Sequence, residues 1–519
     1  MDAIKNKSQS APDFLVNPII NISYLISLQL FSRLITFILN QLIVRMVTPE
    51  IFGFEMVQIE LIISAILFLS REGFRVALQR QDILKQSKER EIVNSKKGVI
   101  EDDYQNVINQ GSVNLAYIPI PISILVSIIV FFSYIRLAND STKKQLIFKG
   151  SLFLYAFSAV IEIFVEPLFI LVQQNFLYKI RAISEAFAIF MKCIITFILA
   201  YWYTLNGDIK NYGALPFALG RLGYFILLLN RSQKNLCFFP KKIYSPYDKK
   251  VYLFHRPTLI LAITITAQSL FKYILTEGDR ILVTWYMTDF DQGVYALVVN
   301  YGSLIARLIF NPIEELSRNL FSKLCSRKDK DSYLLAQSIL FAIIKLYIIL
   351  GIFIIIFGPL YCVAFIKIVA GLKWSKTHAP SVLKLYIFYI PIMAMNGITE
   401  AFVQAVATSN DIKRQSYWMF FFSGLLMFMG YFFLNYFELG ANGVIFINMI
   451  NLSARAIWCS VYIYHYFEVL VISLIFPSKT VFFYSIFIGY FMRLKTHSIV
   501  TISDMLISIV IAGSLLLIW

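Results

Sequence analysis

The sequence predicts an all-α protein that crosses a membrane many times, and three observations carry that reading. Of 519 residues, 58% are hydrophobic and only 15% charged, whereas a soluble globular chain sits near half apolar and a quarter charged. Mean hydropathy is +0.69. Apolar runs of about 20 residues, the length a membrane-crossing helix needs, recur along almost the whole chain. Neither a cleaved leader nor one anchor on a soluble domain accounts for them. The opening residues, MDAIKNKSQSAPDFLVNPII, are polar and carry no cleavable hydrophobic core.

In chain order the expected spans are 22–44, 51–77, 109–134, 149–174, 180–204, 212–231, 257–286, 292–317, 333–358, 381–407, 415–436, 441–465, 468–490 and 498–518. That is about fourteen helices of membrane-crossing length. The stretch 359–376, PLYCVAFIKIVAGLKWSK, is too short to cross and reads as an interfacial segment. Arg45 and Glu50 flank the first turn as structural caps, and Glu314 and Glu315 after Pro312 mark a helix end. The loops 78–108, 232–256 and 318–332 are rich in lysine and arginine. They fall on one side of the membrane, which the positive-inside rule makes cytosolic together with both termini. The short loops leave no room for a soluble catalytic domain.

Sliding the chain on itself by 240 residues brings Leu30, Phe31, Thr36, Leu42, Thr48 and Gly53 onto Leu270, Phe271, Thr276, Leu282, Thr288 and Gly293. The register matches two helix pairs and the glycine that opens the second helix of each. Six spans fit in that offset, an even number, so the two halves face the same way and a substrate path is expected between them. The expected domains are an N-terminal six-helix bundle (1–231), a charged cytosolic linker (232–256), a C-terminal six-helix bundle (257–467) and two extra helices (468–519).

Charges inside the expected spans point to function. An ionised side chain near a helix centre costs about 2.5–3.5 kcal/mol on insertion scales. Arg33 stands roughly 16 Å into the first span at about 1.5 Å per residue. Glu60 is central in the second. Glu162 and Glu166 lie in the fourth, and Glu185 and Lys192, two turns apart, in the fifth. Lys272, Glu277, Asp279 and Arg280 lie in the seventh; Arg307, Glu400 and Arg455 lie in the eighth, tenth and twelfth. At 100° per residue, Glu60, Ser64, Arg71 and Arg75 share one face of the second helix. Asn300, Arg307 and Asn311 form a similar stripe, and Glu277 and Arg280 are spaced to pair.

Polar stripes on oily helices turn from lipid toward a wet interior. A surplus of arginine over carboxylate on them points to an anionic guest, because the guanidinium forks onto phosphate oxygens. Arg80 and Arg75 sit at the membrane edge, where snorkelling to headgroups competes with a role in the site. Arg33, Arg71, Arg307 and Arg455 are too deep, or too well aligned, for that account. Glu60, Glu72, Glu162 and Glu400 stand as ion-coupling or structural candidates.

Other classes find no support. The net charge of +16 is dispersed through short loops rather than gathered into a nucleic-acid face. Five scattered cysteines have no CxxC spacing, and four dispersed histidines suggest no metal cluster. No Walker loop, HExxH or GxSxG appears. The expectation is no enzyme, no cofactor and no bound metal.

Four stretches carry a family likeness: the run from FSRLITFILNQLIVRMVTPEIFGFEM to FLSREGFRVA, EPLFILVQQNFLYKIRAISEAF, ILTEGDRILVTW with DQGVYALVVNYGSLIARLIFNPIEE, and NGITEAFVQAVA. Together they closely resemble the fungal Rft-type proteins of the endoplasmic reticulum, a branch of the multidrug/oligosaccharidyl-lipid/polysaccharide exporter superfamily. The resemblance implies two six-helix bundles in a V around a central cavity, plus two C-terminal helices. It implies a multi-pass protein of the endoplasmic reticulum membrane that moves dolichyl-pyrophosphate oligosaccharide (five mannoses, two N-acetylglucosamines) to the lumenal leaflet for N-glycosylation. The resemblance carries Arg33, Arg71, Glu277, Arg307 and Arg455 over as the cavity set, with Glu72 and Arg75 in its most specific motif. Arg33, Arg71, Arg75, Glu277, Arg280, Arg307 and Arg455 are the expected substrate-binding set, and depth alone puts Arg71 first to meet the pyrophosphate. Membrane lipid and other proteins of the pathway are the further partners implied. A non-transporting scaffold of the same pathway and a cation-coupled exporter of small amphipathic molecules are the alternative readings.

Overall fold

The structure is a computed structural model and describes residues 37–75, 77–78, 114–137, 148–167, 170, 178–206, 219, 243–244, 251–252, 254, 256–326 and 329–468. Arg33, Arg80, most of the sixth expected span and the last two spans lie outside these residues. Among them the helices are α1 (Phe37–Met46), α2 (Pro49–Arg75), α3 (Pro119–Leu137), α4 (Phe148–Phe164), α5 (Tyr178–Leu205), α6 (Arg256–Tyr286), α7 (Asp289–Cys325), α8 (Lys330–Val369), α9 (Ala379–Val406), α10 (Ser409–Tyr431) and α11 (Gly440–Phe467). Among the described residues, eight helices are long and apolar enough to cross a membrane. The protein is an all-α, multi-pass membrane protein. Its one described sheet is a two-residue antiparallel pairing of Ile243–Tyr244 with Val251–Tyr252.

Hydrophobic patterning is inverted relative to a soluble bundle. On α3 the residues at helical spacing Leu125, Ile128, Ile129 and Phe132 are exposed, while Ser123 and Ser127 are buried. An apolar outer stripe with small polar residues inside is what lipid solvent selects. α6 is present at its expected place; its 31 residues would span about 46 Å, with Lys272, Glu277, Asp279 and Arg280 in its second half.

Two expectations are corrected. Residues 359–369 are no separate interfacial piece: α8 runs 40 residues, through Pro359 to Val369. Pro312 with Glu314 and Glu315 does not end a helix, because α7 continues from Asp289 to Cys325. A π-helical turn, Ala306–Phe310, lies just before that proline. A wide turn there takes up the ring and the missing N–H without a break.

The described residues form two compact units. One holds those up to Thr48 and from Ile59 to Ile274; the other holds Pro49–Gln58 and those from Leu275 onward. In the first, Phe74, Ala77, Ala262 and Ile265 form a core between α2 and α6. Gly73 permits it, since a Cβ there would stand 2.7 Å from Thr266 Cα. In the second, small residues bring helices together. Gly351 of α8 lies against Pro391 of α9, and Gly358 against Ile387. Gln58 donates to Asp289 Oδ1 (2.9 Å) and to Gln292 Oε1 (2.7 Å). Trp374 is fully buried edge-on to Phe52, with ring centroids 5.7 Å apart.

Candidate functional site

Among the described residues, polar side chains interrupt the oil in both units. The first unit's cluster starts in α2, where residues Phe68–Glu72 form a π turn. Ser70 Oγ bonds back to Ile66 O at 2.6 Å. A π turn advances each residue by less than the α-helical 100° and so shifts the phase of everything after it. A second one, Phe54–Ile59, lies upstream. The single stripe expected from Glu60 to Arg75 therefore divides. Ser64 meets Tyr273 Oη of α6 at 3.2 Å, whereas Arg71 and Arg75 meet the carboxylates that close α4.

Arg71 Nη1 donates to Glu162 Oε1 at 2.6 Å and lies 3.8 Å from Glu166 Oε2. Arg75 grips Glu166 with two donors, Nε to Oε1 and Nη2 to Oε2, the latter at 2.7 Å. Glu166 is fully buried. Snorkelling of Arg75 to the membrane edge is thereby excluded: its fork is closed on a carboxylate inside the unit. Glu72 lies close enough to act on the charge of Arg75. The partnership has a legible signature, missed in the sequence. Arginines at i and i+4 on one helix face glutamates at i and i+4 on another, 91 residues away.

The second unit carries a longer polar run. Glu277 Oε2 accepts from Arg280 Nη1 at 2.8 Å, the expected pair. Next to it Asp279 accepts from Tyr295 Oη at 3.4 Å. Arg307, in the π turn of α7, is exposed and donates to Asn300 O (2.6 Å) and Asn300 Oδ1 (3.1 Å). That joins two of the three residues of the expected stripe. Arg455 Nη2 donates to both oxygens of Glu400, at 2.8 and 3.1 Å. Asn396 Nδ2 (3.2 Å) and Gln404 Nε2 (3.1 Å) also donate to Glu400. Asn396 and Gln404 are additions that the sequence reading did not single out. Glu60 is half-buried; Arg33 and the side chain of Glu185 lie outside the described residues.

The clusters differ in charge from the expected surplus of arginine. Arg71 and Arg75 face Glu162 and Glu166; Arg280 faces Glu277; Arg455 faces Glu400. Among the candidate arginines described, Arg307 alone is held by neutral oxygens. Among the described residues no group of His, Cys, Asp and Glu is arranged to hold a metal ion.

Comparison with known proteins places these features. The pattern of the Rft-1 family, described as Rft protein, matches residues 19–519. The Man(5)GlcNAc(2)-PP-dolichol translocation protein RFT1 of Yarrowia lipolytica is 33% identical over 85% of this chain and 69% of its own. The proteins of that name from Saccharomyces cerevisiae (34%, 85% and 81%) and Schizosaccharomyces pombe (35%, 84% and 81%) are equally similar. Among solved structures, the lipid II flippase MurJ in an inward closed conformation aligns with a TM-score of 0.63 at 15% identity, over 95% of this chain and 97% of its own. An inward-facing multidrug resistance MATE family transporter aligns at 0.53 and 13%, over 84% and 94%. Those two likenesses establish the fold. Matched from residue 19 to its last residue, and a third identical to relatives over most of their length, the chain belongs to the Rft family.

Proposed function

We propose that the chain moves Man5GlcNAc2-PP-dolichol from the cytosolic to the lumenal leaflet of the endoplasmic reticulum membrane, with both termini cytosolic, in support of N-glycosylation. The observation that carries this is the similarity to translocation proteins of that lipid over 84–85% of the chain. The chemistry agrees. A pyrophosphate bearing a hydrated glycan cannot cross hydrocarbon unaided, whereas the polyprenyl tail can stay in lipid. Helices that keep ionised groups inside the bilayer supply the polar route.

Within that reading, Arg307 takes the pyrophosphate. It is exposed, its partners are neutral, and its planar fork matches two phosphate oxygens. For Arg71, Arg75, Arg280 and Arg455 to bind the same anion, each must release a carboxylate. Arg71, Arg75 and Arg455 serve first to keep polar helices paired within the membrane. Arg280 is paired within its own helix, and Arg33 is the further candidate for the headgroup. The test is purified full-length protein in vesicles containing Man5GlcNAc2-PP-dolichol, scored for lipid reaching the opposite leaflet. Translocation well above protein-free vesicles is expected, falling at least tenfold in Arg307→Gln. Equal rates with and without protein would replace transport by a scaffolding role in the same pathway.

A further inference from the structure

The Glu400–Arg455 nest leaves three hydrogen-bonding atoms without partners, and their chemistry is specific. Glu400 is saturated. Its two oxygens accept four bonds, two from Arg455, one from Asn396 and one from Gln404, which fills the lone-pair sites of a carboxylate. Buried and unbonded are Asn396 Oδ1 and Arg455 Nε, on two members of this network, and Asn451 Oδ1 on the arginine's own helix. Asn396 is 8% exposed. Its amide orientation is fixed, because Nδ2 must face the carboxylate, so the orphan there is the oxygen. Asn396 lies one turn before Glu400 on α9, and Asn451 one turn before Arg455 on α11. With α10 the one crossing between them, α9 and α11 run in the same direction. The Glu400–Arg455 pair therefore brings the two asparagines to the same level. Gln404 is exposed and marks the open side of the nest; Glu400 and Arg455 retain 17% and 28% of their side-chain exposure.

Two unmet acceptors and one unmet donor beside a full carboxylate do not suit phosphate. A phosphate oxygen only accepts, so it could use Arg455 Nε alone while facing two amide oxygens and the Glu400 charge. A sugar hydroxyl both donates and accepts, and an acetamido N–H donates. We propose that Asn396, Asn451 and Arg455, oriented by Glu400, form a subsite for the hydroxyl and acetamido groups of a glycan. This rests on the reading of the chain as a carrier of a glycosylated pyrophosphate lipid. It moves Arg455 from the phosphate set to the sugar set and leaves the anion to Arg307. A buried polar atom without a partner is costly, so the orphans favour whichever headgroup supplies the missing bonds.

The test uses full-length detergent-purified protein and two separate probes, free Man5GlcNAc2 oligosaccharide and inorganic pyrophosphate, with the unfolding midpoint as readout. The expected result is that the oligosaccharide raises the midpoint of the unsubstituted protein. Asn396→Leu and Asn451→Leu, on different helices, each abolish that rise and leave the response to pyrophosphate intact. Arg307→Gln does the reverse. Asn451→Leu removes an unbonded buried oxygen and should not unfold earlier without ligand, whereas Asn396→Leu also gives up the Nδ2 bond to Glu400 and should unfold somewhat earlier. Should one fail to fold, the other carries the test. No rise with the oligosaccharide, or an undiminished rise in a folded leucine variant, overturns the subsite and assigns the orphan atoms to water. Translocation in vesicles is a separate measurement, so failure of the subsite and failure of the carrier reading remain distinguishable.

Discussion

Gly53 and Gly293 meet backbone to backbone. A Cβ on Gly53 would lie 2.5 Å from Asp289 O and 2.9 Å from Gly293 Cα, and one on Gly293 would lie 2.6 Å from the Pro49 carbonyl carbon. The contact is reciprocal in the 240-residue register, which places Gly53 on Gly293 and Pro49 on Asp289. Residue 53 touches 289 and residue 293 touches 49, as equivalent positions do about a two-fold axis. The matching helix starts agree: α7 is capped by Thr288, whose Oγ1 accepts from Asp291 N at 3.2 Å, and α2 begins after Thr48.

Alanine at either glycine is therefore expected to destabilise, because the new methyl meets main chain rather than a side chain that can swing away. Overpacking of this kind costs about 1–3 kcal/mol. Gly424, in α10, has nothing within 4 Å of the same construction. Gly424→Ala should be neutral or stabilising by up to about 1 kcal/mol from helix propensity. Unfolding midpoints of the three variants in one detergent decide it. A Gly293→Ala protein as stable as the parent would show that the helices do not pack this closely.

Glu166 gives the second prediction. It is fully buried and held by two donors of Arg75, so Glu166→Leu takes away the carboxylate that this fork grips inside the first unit. Removing one partner of a buried pair costs about 3–5 kcal/mol, while replacing both with apolar residues is often neutral. The double variant Arg75→Met, Glu166→Leu should recover most of the loss. A double-mutant cycle on folded yield and midpoint measures the coupling. Additive losses would mean that the two side chains act independently.

How far the sequence reached depends on the range of the physics involved. Span positions follow from local hydropathy, and α9 and α11 fall at Ala379–Val406 and Gly440–Phe467 against expected 381–407 and 441–465. Local pairs such as Glu277 with Arg280 were equally legible. Pro312 misled because proline usually ends a helix, and nothing local reveals that a π turn accommodates it. The stretch 359–376 misled because its own length does not show that it begins as the continuation of α8. The stripe on α2 failed for a related reason: the π turn at Phe68–Glu72 breaks a face computed at a constant 100°. The partners of Arg71 and Arg75 required tertiary contact, although matched i, i+4 spacing of opposite charges was available as a clue. The orphan oxygen of Asn396 could not be read at all, since it is defined by what surrounds it.

Arg307 and Arg455 should separate in stability although both are arginines within membrane helices. Arg307 is exposed with neutral partners, so Arg307→Gln is expected within about 0.5 kcal/mol of the parent. Glu400→Leu leaves Arg455 without its carboxylate and Asn396 and Gln404 without their acceptor. Several kcal/mol of destabilisation, about 3–5 by analogy with buried pairs, should follow. Thermal unfolding compares them directly, and equal losses would contradict the assignment of Arg307 as the uncompensated cation.

Asp411 supplies a pH test outside the spans. Thr408 begins α10 with a capping box: Thr408 Oγ1 donates to Asp411 Oδ2 at 2.7 Å, and Thr408 N donates to the same oxygen at 3.1 Å. These bonds from Thr408 hold the Asp411 carboxyl below its ordinary value, with smaller help from Tyr462 and Arg414. A carboxyl whose folded value is depressed contributes stability above its unfolded value, near 3.9. That contribution is lost as pH falls through the lower, folded value. Asp411→Ala should therefore lower the midpoint by a constant amount from neutral pH down to about 5. The gap from the parent should narrow in more acid solution as the parent's own carboxylate is protonated. Amide exchange at 409–412 should show the same convergence, because the cap protects those N–H groups. A gap that widens on acidification would require the protonated carboxyl to be the better cap, opposite to the donor geometry at Thr408.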